Sequence, residues 1–287
     1  MKSFQSPIGC TRFSLVVNIF LFILKMMAGI FGRSQALIAD ALNSLLDIVA
    51  NIVVWFGINI SKRPPDSDHP YGHGNADNLA AIFVALVLFI TGAYIGRESI
   101  HAIVNREFQT PTFLATAAAA VTILIKESLY WYTLKIGRKF KSAAVIANAY
   151  DHRSDVIVSV GVLIGIVVAQ TRFPILDPIA GLWVAFFILK QGIKIIRENI
   201  QTLMVVSPGT RFESDVRGFI SGMDGVVDVV WLKSRIVGAR YFIDTAIQVN
   251  SDVSVYEGHE IATRVRHAVS SKYPDVFDIL VHVEPDR

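Results

Sequence analysis

The chain has 287 residues, of which 53% are hydrophobic and 18% charged, and its formal net charge is +3. Soluble domains carry about a quarter charged residues, so this composition belongs to a membrane protein with a modest polar part. The single cysteine, Cys10, excludes a disulfide framework or a cysteine-rich zinc module, and the small net charge argues against a nucleic-acid partner.

The opening stretch, MKSFQSPIGCTRF, has no long apolar core followed by a small-residue cleavage site, so the first apolar segment is expected to be a retained span. A helix needs roughly 20 mostly apolar residues to cross the hydrocarbon core. Six segments qualify, at about 12–32, 36–60, 79–100, 111–134, 145–170 and 174–196. None is wholly apolar. Lys25 interrupts the first, Asp40, Asn43 and Asp47 the second, and Lys126 and Glu127 the fourth, while Asp151, His152, Arg153 and Asp155 crowd the start of the fifth. The pairs Gly92/Gly96 and Gly161/Gly165 read as small-xxx-small helix contacts. Asp177, just before Pro178, reads as the N-cap of the sixth span.

Orientation follows from the basic residues in the connections. One side collects Lys2, Arg12, Lys62, Arg63, Lys135, Arg138, Lys139, Lys141, Lys190, Lys194 and Arg197, the other only Arg33, Arg97, Arg106 and Arg172. The positive-inside rule then places both termini in the cytoplasm, with a bacterial inner or intracellular membrane as the expected location.

After Ser207-Pro208-Gly209 the charge content becomes that of a soluble domain. ESDVRGFISGM reads as a helix, VVDVVWLKSRIVG and ARYFIDTAIQVN as strands, SVYEGHEIATRVRHAVSSKY as a helix and DILVHVEP as a last strand. The order α-β-β-α-β predicts a two-layer domain of the ferredoxin-like type, small enough to gain from pairing with a second copy. The expected architecture is an all-α six-helix transmembrane domain over 1–207 and a cytoplasmic α+β ferredoxin-like domain over 208–287, in a homodimer.

Three polar constellations carry chemistry. Asn43 and Asp47 lie four residues apart and so share one helical face, as do Asp151 and Asp155. A charge at the bilayer centre costs on the order of 3 kcal/mol or more, so intramembrane acids are functional by default. If the two faces meet, three carboxylates and one amide carbonyl form a cluster that a divalent cation would neutralise and that protons would compete for. The alternative is that Asp151 and Asp155 pair with Arg153 or Lys126, or lie at headgroup level. His152 and Arg153 point off the Asp151 face, and Lys126 and Glu127 either pair locally or line a path. The second constellation is the loop SKRPPDSDHPYGHGNADN, where Asp66, His69 and His73 have a spacing that suits either a transition metal or a hydrogen-bonded turn. The third is Asp244, His259, His282 and Glu284, though lone histidines on such elements are more often packing or surface residues. No nucleophile–base pair or phosphate loop appears, so an enzyme is not expected, and a site closed by four ligands binds too firmly for a channel.

Together, six spans, acidic pairs in the second and fifth, HPYGHG between the second and third, and a tail ending in VHVEP resemble the cation diffusion facilitators over nearly the whole chain. The resemblance implies a homodimeric transporter that exports divalent metal against protons, with no prosthetic group. It implies a transport site at Asn43, Asp47, Asp151 and Asp155, a loop site at Asp66, His69 and His73, and a partial tail site at Asp244, His259, His282 and Glu284. Zinc-transporting members commonly have histidine where Asp151 stands and often where Asn43 stands. An all-oxygen set suits Mn(II) or Fe(II) better, as in the manganese-exporting branch and the iron-handling magnetosome members; Zn(II) or Cd(II) is the alternative. In relatives a Lys after HPYGHG pairs with an Asp at the end of the sixth span. Here these are Asn75 and Val205, so the hinge is either looser or held by other contacts. Val230 and Ala246 replace tail histidines. The altered hinge and reduced tail histidines also admit a non-transporting membrane scaffold or metal sensor, although a pure scaffold has no reason to keep three acids in lipid.

Overall fold

The computed structural model describes residues 7–238 and 240–286; Lys2, counted above toward orientation, lies outside them. Six long helices come first: α1 (Pro7–Phe31), α2 (Gln35–Ser61), α3 (Ala76–Asn105), α4 (Phe113–Lys139), α5 (Ala143–Ala169) and α6 (Leu176–Leu203). All six are long and apolar enough to cross a membrane. Then come α7 (Thr210–Ser221), β1 (Asp228–Val237), β2 (Arg240–Val249), α8 (Val255–Lys272) and β3 (Val276–Pro285), the α-β-β-α-β order expected of the tail.

The chain divides into two compact units, one of 1–53 with 83–195 and the other of 54–82 with 196–287. The second therefore takes in the loop after α2 as well as the tail.

In the first unit the usual distribution of side chains is inverted. Phe20, Ile90, Leu124 and Ile164 face outward, while Asn18, Lys25, Asp40, Asn43, Thr122, Lys126 and Ser159 are buried. Apolar outside and polar inside is the pattern of a bundle whose solvent is lipid, where exposed polar groups are penalised. The buried apolar core runs through Leu37, Leu88, Val162, Ile166, Val184 and Ile188. Small residues let the backbones approach. A Cβ at Gly92 would lie 3.0 Å from the Leu189 side chain, and one at Gly165 would collide with that of Ala180. Gly161 is equally close to the Trp183 ring, whereas Gly96 has only an ordinary contact with Ala185, so the expected close packing holds for three of the four glycines.

Helix starts are set by local caps. Ser142 Oγ accepts from the Val145 amide at the start of α5, and Ser254 with Glu257 forms a capping box at the start of α8. Asp177 departs from the expectation. It lies inside the first turn of α6 and instead caps α2: its carboxylate accepts from Ser34 Oγ at 2.6 Å and from the Gln35 amide at 2.7 Å. The reason is geometric, because the start of α2 leaves amides without partners inside the bundle, where water cannot serve them.

In the second unit the sheet order is β1-β2-β3, with β1 and β2 antiparallel and β2 and β3 parallel. Helices α7 and α8 cover one face over Val216, Ile220, Ile243, Ile247, Ile261 and Val265. The segment after α6 is tied to the sheet by an Ile236 amide bond to Val206 O at 3.0 Å and by Ser207, Glu213 and Ser234. Gly238, at φ 59°, directly follows β1, and a Cβ there would collide with the Gly74 carbonyl. Loop and turn thus meet backbone to backbone. Within this unit these contacts tie the loop and the segment after α6 to the β1–β2 turn and the sheet.

Candidate metal-transport site

The second and fifth helices do touch inside the bundle. Ser159 Oγ of α5 donates to Asp40 Oδ2 of α2 at 3.0 Å. The same carboxylate oxygen lies 2.8 Å from Lys25 Nζ of α1, and Lys25 also donates to Ser44 Oγ at 3.1 Å. Lys25 and Asp40 are 1% and 2% exposed, so this pair lies wholly within the bundle. Each charge has further hydrogen bonds, the condition under which a buried pair can be held without a net penalty.

One turn beyond Asp40 come Asn43 and then Asp47, and one turn before Ser159 comes Asp155, with Asp151 a turn earlier still. Asn43 is buried, Asp47 and Asp155 half-buried, and Asp151 exposed. Asp155, Lys126, Lys25 and Asp151 are all close enough to act electrostatically on Asp47. Lys126 of α4 donates from Nζ to Asp155 Oδ2 at 2.7 Å, and Glu127 pairs with Arg153. The Arg153 guanidinium also sits 5.1 Å from the Tyr130 ring centre. Both residues of the Lys126-Glu127 dipeptide therefore bridge to α5, and Glu127 Oε1 also accepts from Trp131 Nε1 of its own helix at 3.0 Å. His152, expected to point off the acidic face, is buried, and its Nε2 has no partner among the described residues.

The loop residues come together most tightly. Asp66, His69 and His73 each offer a ligand atom with all three atoms within 4.8 Å of one another, the only such trio of His, Cys, Asp or Glu among the described residues. Asp66 Oδ1 accepts from the amides of His69 at 2.7 Å and Asp68 at 3.1 Å, and His73 Nε2 lies 3.3 Å from Oδ2. The His69 amide bond, helped by the His73 imidazole, holds the Asp66 carboxyl below its ordinary value. Pro64, Pro65 and Gly72 shape this turn, and Gly72 has φ 83°.

The tail residues are dispersed. Asp244 is engaged by Arg235 on the neighbouring strand. His282 Nε2 and Glu284 Oε1 lie 3.9 Å apart on the exposed face of β3. His259 lines a separate cavity of about 360 Å³ with Val249, Val281 and Val283. Sequence spacing alone missed the partner of Lys25 and left that of Lys126 open, although a lysine inside a span is itself the signal that a carboxylate faces it.

Against known proteins, residues 11–204 match the cation efflux transmembrane domain, and residues 208–286 match the cation efflux protein cytoplasmic domain. The manganese efflux system protein MneP of Bacillus subtilis is 33% identical over 279 residues, covering 95% of this chain and 94% of its own length. A magnetosome protein MamB of a Magnetospira species is 34% identical over 263 residues, covering 92% of this chain and 90% of its own. The manganese efflux system protein MneS of Bacillus subtilis is 30% identical, covering 95% and 92% respectively. The chain is an integral membrane protein of the cation efflux family, the cation diffusion facilitators, with six transmembrane helices and a cytoplasmic-type α+β domain.

Proposed function

We propose that this protein exports Mn(II) or Fe(II) from the cytoplasm in exchange for protons, binding the ion between α2 and α5 through Asn43, Asp47, Asp151 and Asp155. The observation that carries the reading is the oxygen-only donor set on two helices already joined by the Asp40–Ser159 bond. Hard oxygen donors suit Mn(II) and Fe(II), whereas zinc sites draw on imidazole or thiolate. Two relatives similar over nearly their full length are named manganese efflux proteins.

The carboxylates that release metal on the far side take up protons there and lose them to the cytoplasm on return, which couples the two fluxes. Alternating access needs the site to open to one side at a time, with residues 1–207 forming the transport domain. Residues 208–287 pair with a second copy to give a homodimer. Both termini face the cytoplasm of a bacterial inner or intracellular membrane, in line with the basic connections. The test is transport into proteoliposomes of Mn(II), Fe(II), Zn(II) and Cd(II) side by side. Mn(II) or Fe(II) moves fastest under this reading; Zn(II) moving fastest, with Asn43→His changing nothing, would overturn it.

A second metal binds at Asp66, His69 and His73, whose two imidazoles suit a borderline ion such as Zn(II) or Co(II). Its contact with the β1–β2 turn through Gly74 and Gly238 would tell the tail whether metal is present.

A further inference from the structure

The two buried lysines of the bundle differ in a way that separates a structural ion pair from a working one. Lys25 holds Asp40, which also accepts from Ser159, while Lys25 itself reaches Ser44; neither charge depends on the other alone. Lys126, 1% exposed, has a single hydrogen-bond partner among the described residues, and that partner is Asp155, a ligand under the function proposed above.

An ammonium 2.7 Å from a carboxylate oxygen stands where a divalent ion bound to that oxygen would repel it. A second resting place is at hand. Thr122 Oγ1, one turn earlier on α4, and Asn18 Oδ1 of α1 are both buried without a partner among the described residues. The antiparallel pairing of α1 and α4 runs from Cys10–Thr133 to Gly32–Ala115, which places Asn18 at the level of Lys126. Two unserved acceptors at the level of one lysine are unusual in a bundle interior, where polar groups normally find partners. The four-carbon stem of lysine lets its ammonium exchange berths without any helix moving.

We infer that Lys126 is a tethered counter-cation: it occupies Asp155 when the transport site is empty and withdraws toward Asn18 and Thr122 when a divalent ion arrives. The inference rests on Asp155 being a metal ligand. Formal charges support it, since three carboxylates, one ammonium and one divalent ion sum to zero, so the loaded site crosses the membrane neutral. The competing ammonium also weakens metal binding, which an exporter needs in order to let go.

The test is Mn(II) binding to the full-length protein in nanodiscs, in a His69→Ala/His73→Ala background that removes the loop site. Lys126→Met should bind Mn(II) about tenfold more tightly or better, the scale of one close charge contact, and should transport it more slowly. Asn18→Leu, which removes a berth and keeps the competitor, should bind several-fold more weakly. A merely structural lysine cannot move affinity in opposite directions in the two variants. Unchanged or weaker binding in Lys126→Met overturns the inference. If that variant does not fold, Lys126→Gln and Asn18→Leu decide, and unchanged affinity in Asn18→Leu is equally fatal. Asp155→Asn separates the two levels: if it binds Mn(II) as the parent does, the site reading itself fails, whatever Lys126 does.

Discussion

The Ser159 hydroxyl donates to Asp40 Oδ2 at 3.0 Å, and this contact joins α2 to α5. Asn43 and Asp47 follow Asp40 in α2 and Asp151 and Asp155 precede Ser159 in α5, more than a hundred residues away in the chain. Lys25 then neutralises Asp40, leaving the remaining acids free of that structural duty.

Asp40→Ala should strip Lys25 of its counter-charge inside the bundle and destabilise the protein by about 3–5 kcal/mol, the usual cost of breaking a buried pair from one side. Ser159→Ala, which removes a neutral donor, should cost only about 1 kcal/mol. Thermal unfolding in detergent, compared with the parent, checks the ranking. Equal losses would mean that Asp40 does not depend on its lysine.

Asp177→Ala should release the start of α2 without unfolding α6. Loss of a helix cap costs about 1–2 kcal/mol, and here it leaves the Gln35 and Ala36 amides without their carboxylate. Hydrogen exchange should speed up at Gln35, Ala36 and Leu37 and stay unchanged in the first turn of α6. The reverse pattern would show Asp177 acting as a cap on its own helix.

The loop trio should bind Co(II) with a visible d–d spectrum, and His73→Ala should lower that affinity by at least about tenfold, since even outer-shell losses cost that much. The Asp66 carboxyl is held below its ordinary value by the His69 amide. It therefore stays ionised, and available as a ligand, as pH falls through the ordinary carboxyl range. Spectra across pH should show no loss of metal through Asp66 protonation within the ordinary carboxyl range. Asp66→Asn should weaken binding at every pH.

Glu213 lies between Ser234 and Ser207, accepting from each hydroxyl at 2.7 Å, and these bonds lower its pKa. A lowered folded value means that the stability it contributes is complete above the ordinary carboxyl range and is lost as pH falls through the lowered value. Amide exchange around Ser207 and Ser234 should accelerate below that range in the parent. In Glu213→Gln it should be faster at neutral pH and insensitive to the same acidification.

The architecture was largely legible because its signals are local. Six apolar runs announced six helices, and alternation then periodicity announced the tail in its true order. The ends were less legible: α3 and α6 run to Asn105 and Leu203, past the apolar runs that ended near 100 and 196, because hydropathy marks only the part in lipid while the helices continue. Long-range partners were out of reach. Asp177 serves a helix 142 residues away, and nothing near Pro178 reveals it. The pairing of Asp155 with Lys126 was one of two readings that spacing left open, and helix packing decides which lysine faces which acid. The uncharged residues at Asn75 and Val205 were visible, but the contacts that tie the segment after α6 to the sheet involve Val206, Ser207, Glu213 and Ser234 and arise only on folding.

The most direct test of the transport site is Mn(II)-driven proton flux in proteoliposomes, comparing the parent with Asp151→Ala and Asp155→Ala. Each variant must first be shown to be folded by its unfolding temperature. The parent should alkalinise or acidify the lumen in step with Mn(II) movement, and both variants should show neither flux. Parental rates in either folded variant would contradict the assignment of the α2–α5 carboxylates as the ion-binding site.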